Sequence, residues 1–178
     1  EVGAVLLEHY DGSFVNLLEK ANRSAVSLVQ EVVANFPSFN DIATYQGQTI
    51  YLYKRAQLLV ADLYGAFEGH GYGEFLDLDQ VTIFADYKLP QVLRHYHVLE
   101  YDPPLSYLVD NYLPVVPGSP EEVELRSAAI QAVELMRQSF AARHHPIPAF
   151  KLDWWLWTLG QNDVVRQKPY HRTRTVFY

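Results

Sequence analysis

Thr82-Ile83-Phe84-Ala85-Asp86-Tyr87-Lys88-Leu89-Pro90-Gln91 runs from an apolar lead-in into a single acid set between two aromatic residues. Pro90 biases Leu89 away from helical geometry, so the acid is expected at a junction, with a new helix opening at Pro90. A carboxylate among apolar bulk loses hydration and must find donors or rise in pKa. Phe84 and Tyr87 offer flat faces beside Asp86, and a planar heterocycle would satisfy ring and carboxylate together. The alternative is that Asp86 caps the following helix and the aromatics are core.

The flanks place this junction in a helical chain. Upstream, Asp77-Leu78-Asp79 predicts a short helix through Phe84, and downstream Val92, Leu93, Tyr96 and Leu99 continue the helix from Pro90. His95 and His97 diverge by about 200° on such a helix, which predicts a surface and a core histidine respectively rather than a metal pair. Ser13 predicts an N-cap for one helix running to Pro37, with Leu17, Leu18, Ala21, Ala25, Leu28, Val29 and Val32 on one face. Residues 36 to 48 read as a loop, and the helical pattern resumes from Thr49 to Phe67. Lys54 and Arg55 sit near the start of that helix, where cations oppose the macrodipole; they are either solvated or waiting for an anion.

In the second half, Asp102-Pro103-Pro104 predicts a turn and Leu105 to Leu113 a short helix. Ser119-Pro120-Glu121-Glu122 carries the residues of a capping box, opening a helix to about Arg143 on which Glu124, Arg126 and Glu134 read as a solvated charged face. Lys151-Leu152-Asp153-Trp154-Trp155-Leu156-Trp157 then embeds one acid among all three tryptophans of the chain. On a helix Asp153 and Trp157 share a face, and the acid is expected to lose its water there. The alternative is an N-cap or first-turn Asp with the tryptophans in the core. The closing stretch, Pro169 to Tyr178, alternates as an extended segment does and concentrates His171, Arg172 and Arg174.

Composition bounds the function. The chain has 178 residues, no cysteine, 14 basic against 21 acidic side chains and a formal net charge of -7. Thiolate chemistry is thereby excluded, and stable binding of a long polyphosphate is disfavoured, whereas a small anion in a local basic pocket is not. No apolar run approaches the roughly 20 residues of a membrane span, and no signal-peptide pattern opens the chain. The expectation is a single domain spanning 1–178, all-α and compact, in a reducing, cytoplasmic setting.

Four blocks taken in order carry a family resemblance: Tyr53-Lys54-Arg55-Ala56-Gln57, Phe84 to Gln91, Glu122-Val123-Glu124-Leu125-Arg126, and Asp153-Trp154-Trp155-Leu156-Trp157 with His171-Arg172-Thr173-Arg174. Together they resemble the queuosine salvage protein family, over nearly the whole chain. The resemblance implies queuosine 5'-phosphate N-glycosidase activity releasing the base queuine. It also implies a helical fold likened to DNA glycosylases, and no metal or organic cofactor. Family members are typically longer, which leads to the expectation that this chain is the C-terminal part of a longer pattern. A companion polypeptide would then cover the apolar Val2 to Leu7 edge and complete the pocket. Thr158 stands where some members carry a further acid.

On this reading Asp86 and Asp153 are the candidate catalytic residues. Asp86 would grip the base, with Phe84 and Tyr87 against the ring, and Asp153, walled by tryptophans including Trp157, would stabilise the sugar cation, attack it or orient the water. Lys54, His171 and Arg172 are the candidate cations for the 5'-phosphate. Two other classes stay open: a nucleic-acid base glycosylase, and a non-catalytic helical binding module.

Overall fold

The spacing that predicts one helix from Ser13 to Pro37 is interrupted by two consecutive left-handed residues, Asn22 (φ 50°) and Arg23 (φ 61°). In the structure, a computed structural model describing residues 1–178, three helices therefore fill the start of the chain: α1 (Val2–His9), α2 (Phe14–Ala21) and α3 (Ala25–Asn35). Asn tolerates the left-handed conformation, which ends α2, and Ser24 at once caps α3 by accepting from the Ser27 N–H at 3.0 Å. Asp77 reinforces that cap, taking the Ser24 hydroxyl (2.7 Å) and the Ala25 N–H (2.5 Å). A fourth helix, α4 (Lys54–Ala66), packs on α3, which also packs on α2. With Glu1–Asp41, Tyr53–Thr82 and Phe177 these helices make one of the two compact units of the chain. Its interior buries Leu17, Leu28, Val32 and Val60.

The other unit comprises Ile42–Leu52, Ile83–Val176 and Tyr178. It opens with the main departure from an all-α reading, the antiparallel hairpin of β1 (Ile42–Tyr45) and β2 (Gln48–Tyr51). Tyr45 pairs with Gln48 across Gln46 and Gly47, both at positive φ, the requirement of a tight two-residue hairpin turn. The helix expected from Thr49 thus begins only at Lys54, because Thr49 and Ile50 are spent as strand. The chain is mostly helical with this one small sheet.

Beyond the hairpin come α5 (Lys88–His95), α6 (Pro103–Asp110), α7 (Pro120–Ala142), α8 (Ala149–Leu159) and the short α9 (Asp163–Arg166). The helix expected over 77–84 shrinks to a 3-10 turn, Leu78–Gln80. The β-branched run Val81-Thr82-Ile83 instead favours extended backbone. Pro90 does not exclude Leu89 from helix, since α5 starts at Lys88. Proline in a first turn forfeits only an N–H with no helical partner, and the carbonyl its ring would strike belongs to Asp86, outside the helix. Because α5 stops at His95, the two histidines exchange their expected places: His95 is half-buried and His97 exposed.

α7 is the axis of this unit, packing on α5, α8 and β1. Ile83, Leu89, Val92, Leu93, Ala129, Val133, Leu152 and Leu156 form its buried core. As expected, Ser119 caps α7 by accepting from the Glu122 N–H (3.4 Å) and Pro120 opens it, although the Glu122 carboxylate reaches back to the Gly118 N–H at 3.1 Å. The closing residues are held by a parallel bridge between Pro114 and Arg172. Val115 N–H donates to the Arg172 carbonyl at 2.8 Å, and the Thr173 hydroxyl donates to the Val115 carbonyl at 3.0 Å. No helix is long and apolar enough to cross a membrane.

Candidate active site

Backbone without helix or ladder must satisfy its polar groups elsewhere, and between Ile83 and Tyr87 side chains do so. The Phe84 N–H donates to Asp153 Oδ2 on α8 at 2.8 Å. The Ala85 carbonyl accepts from Arg126 Nε on α7 at 2.8 Å. Asp86 Oδ1 accepts from the N–H groups of Lys88 (2.7 Å) and Leu89 (3.4 Å) at the free start of α5. The capping alternative for Asp86 is therefore realised, and it leaves a buried carboxylate in a fixed orientation. Asp153 of α8 thus reaches the segment that carries Phe84 and Asp86. Both acids are buried, at 8% and 4% exposure.

Burial of Asp153 does not come from a tryptophan wall. Trp155 and Trp157 are exposed, Trp157 by 49%, and only Trp154 turns inward, edge-on to Phe150 at 5.2 Å. The acid loses its water because α8 faces α5 and α7 with Leu152, Asp153 and Leu156. Arg126 likewise departs from the solvated face expected for it. It is 2% exposed, its Nη1 is 3.1 Å from Glu122 Oε1, and Glu122 is itself buried. The signal was present: 126 falls three residues after Val123 and four before Ile130, on the apolar stripe of α7.

Tyr87 lines a cavity of about 330 Å³ with Pro114, Tyr170, His171, Arg172, Thr173, Arg174 and Tyr178. The Tyr87 and Tyr170 rings lie 4.6 Å apart, and Lys88 Nζ sits 5.8 Å from the Tyr170 ring centre. Burial lowers the Lys88 pKa, with Arg166 adding to it and Asp86 opposing. His171 is not the cation expected of it. Burial and then the Arg126 charge push its pKa down to about 4, so at neutral pH the ring is uncharged. The Tyr178 hydroxyl donates to Glu122 Oε1 at 2.8 Å, so His171 Nε2, 3.2 Å away, is the donor to Tyr178. That tautomer leaves the buried His171 Nδ1 as an acceptor with no partner. Arg172 is exposed and stacks over Tyr112 at 4.7 Å.

Lys54 belongs to the unit of α1 to α4. There it opens α4, with its N–H 3.3 Å from Asp41 Oδ2 and its side chain half-buried. No group of three or more His, Asp or Glu side chains is placed to hold a metal ion. Sequence reasoning missed Glu122, Tyr170 and Tyr178 as parts of this neighbourhood. Only the tail aromatics hinted at docking, and nothing local predicts a pairing 56 residues apart.

Comparison with known proteins gives a consistent result. The family model described as queuosine salvage protein matches residues 1–178. A protein of Sphaerobacter thermophilus named queuosine 5'-phosphate N-glycosylase/hydrolase is 50% identical over 178 residues, covering 100% of this chain and 55% of its own length. Proteins of the same name from Dictyostelium discoideum and Mus musculus are 42% and 39% identical, each covering 100% of this chain and 56% and 55% of their own lengths. The chain thus spans about half the length of the curated relatives it matches.

Proposed function

The chain belongs to the queuosine salvage protein family, and from that premise we propose that it forms part of an N-glycosidase that hydrolyses queuosine 5'-phosphate and releases queuine. The observation that supports this most is the bond from the Phe84 N–H to the buried Asp153 of α8, two residues before the buried Asp86. Queuine is a 7-deazaguanine, whose N1–H and exocyclic amine are parallel donors suited to an ionised acid. Asp86 takes that role, with Phe84 and Tyr87 against the ring. The two N–H bonds on Asp86 Oδ1 hold the carboxylate in place.

Breaking the bond between ribose and base develops cationic character on the sugar. A 7-deaza base has carbon where guanine has N7, which closes the usual route of leaving-group protonation, so stabilisation must come from the sugar side. Asp153 supplies the negative charge there. Its bond to the Phe84 N–H fixes the carboxylate before reaction, and a desolvated charge acts more strongly. Arg172 is the cation for the 5'-phosphate beside Tyr87, and His171, being neutral, can serve it only as a hydrogen-bonding neighbour; Lys54, on the other unit, is tested separately by substitution. Trp157, exposed on α8, is a ring available to the substrate. The reading carries with it a DNA-glycosylase-like helical fold, an extended closing tail, a cytoplasmic setting, and a companion segment or polypeptide that completes the pocket.

The test is release of the free base, queuine from queuosine 5'-phosphate and queuosine or guanine from guanosine 5'-phosphate, followed by mass spectrometry. It is run on this chain and on a protein of the relatives' full length. Release from queuosine 5'-phosphate with guanosine 5'-phosphate untouched is the expected result. Inertness of the full-length protein toward the queuosine compounds would end the proposal.

A further inference from the structure

The peptide leading into Asp86 lies outside any helix or strand, so its tilt, and with it the direction of the Asp86 side chain, is set by whatever holds its carbonyl. That group is Arg126. Its Nε donates to the Ala85 carbonyl at 2.8 Å while Nη1 meets Glu122 Oε1 at 3.1 Å. The guanidinium plane has little freedom to turn, because its central carbon lies 4.6 Å from the Tyr178 ring centre. Glu122 is fixed in turn, its Oε1 receiving the Tyr178 hydroxyl and its Oε2 the Gly118 N–H. Asp153 holds the Phe84 N–H in the same stretch. Two successive residues are thereby bracketed by an anion from α8 and a cation from α7.

Burying an ion pair this deeply costs desolvation that apolar side chains of similar size avoid, so stability alone is a poor reason for it. We propose that Arg126 is a positioning residue of the site: through the Ala85 carbonyl it orients Asp86, with Glu122 and Tyr178 setting its own plane. Lysine cannot substitute. A single ammonium point charge has no side-on N–H to reach Ala85 while its terminal donors stay on Glu122, and it has no plane for Tyr178 to cover. The kinetic part of this inference rests on the glycosidase reading above; the geometric part does not.

The experiment compares wild type, Arg126→Lys, Tyr178→Phe and a control, Arg137→Lys, in a protein of the relatives' full length. Arg137 pairs with Glu134 on a solvent-reached part of α7. Amide hydrogen exchange across residues 82–88 and 149–159 is measured alongside the queuine dissociation constant and separate kcat and KM values. Arg126→Lys should speed exchange at 84–88 about tenfold or more while 149–159 stays protected, and should weaken queuine binding and kcat/KM by about 30-fold. Tyr178→Phe keeps the ring but loses the bond to Glu122, and should shift both about 3- to 10-fold in the same direction. The control should match wild type. Folded Arg126→Lys with wild-type exchange at 84–88, or exchange raised equally everywhere, overturns the inference. If Arg126→Lys does not fold, Tyr178→Phe within twofold of wild type overturns it. Local loosening in a wild-type protein that never releases queuine would instead sink the glycosidase reading and leave the positioning role standing.

Discussion

Asp153 and Asp86 are both buried acids, yet their surroundings assign them different work. An asparagine at 153 keeps an acceptor oxygen for the Phe84 N–H, so Asp153→Asn should preserve the segment and remove only charge. If that charge acts on the developing sugar cation, kcat should fall by about 10³-fold or more while queuine affinity stays within about tenfold. Asp86→Asn also keeps an oxygen for the start of α5 but replaces one acceptor by a donor facing the base's own donors. Queuine binding should then weaken by more than about tenfold, read by calorimetry, and the reverse pattern of losses would exchange the two roles. His171 makes a separate prediction about pH. Its folded pKa, pushed down to about 4 by burial, lies below its unfolded value near 6.5, so the unfolded chain binds the extra proton between those limits. Its contribution is therefore fully present above about pH 6.5 and is lost as pH falls toward 4, by on the order of 3 kcal/mol. Urea midpoints from pH 7.5 to 4.5 should show this slope in the wild type and a shallower one in His171→Gln; identical slopes would show that His171 is not buried neutral.

At the scale of elements, α8 ends at Gly160 for a reason of space rather than of backbone freedom, since its φ of −64° is open to any residue. A Cβ there would stand 2.7 Å from Lys88 Cδ and 2.8 Å from Val92 Cγ2, so α5 and the end of α8 meet without room for a methyl. Gly160→Ala should cost about 1–3 kcal/mol in denaturant unfolding, and it should disturb Lys88, whose Nζ bonds Gln91 Oε1 at 2.9 Å. An unchanged midpoint would mean that the contact gives way freely. The same elements show what could be read in advance. The caps of α7 and the apolar stripes of α3 and α4 were legible because a cap or a stripe is written within a few residues. The break at Asn22-Arg23 was not, because the periodicity of Leu17, Leu18, Ala21, Ala25 and Leu28 continues across it and Asn is only a weak signal for a left-handed turn. The hairpin was hidden for the opposite reason: Gln46-Gly47 is a poorer turn signal than Asn-Gly, and Thr49 and Ile50 fit a helix stripe as well as a strand. In the site, Asp86 and Asp153 stood out because each is a lone acid among aromatics. Arg126 reads as surface because its i,i+4 partner Glu122 also suits an exposed helix, and only the register against Val123 and Ile130 tells otherwise.

Taken whole, the chain carries a formal net charge of -7, yet Arg166, Lys168, Arg172 and Arg174 fall within nine residues near its close. The overall field repels any ligand with many phosphates, while a local group of cations can still hold one. That combination separates a free nucleotide from the same nucleotide inside a polymer. Nonspecific binding of duplex DNA needs several lysine and arginine contacts and the release of the counterions they displace, and a predominantly acidic surface offers few. A labelled 20-base-pair duplex and an unmodified tRNA should therefore bind no more tightly than about 100 μM at 150 mM salt, by fluorescence anisotropy. Queuosine 5'-phosphate should bind under the same conditions with a shallow salt dependence, since only one phosphate is engaged. Sub-micromolar binding of tRNA, falling steeply between 50 and 200 mM salt, would reveal a basic face strong enough to overcome the net charge. It would move the substrate from the free nucleotide to the base within RNA, where reaching the glycosidic bond also requires drawing the nucleotide out of its stack.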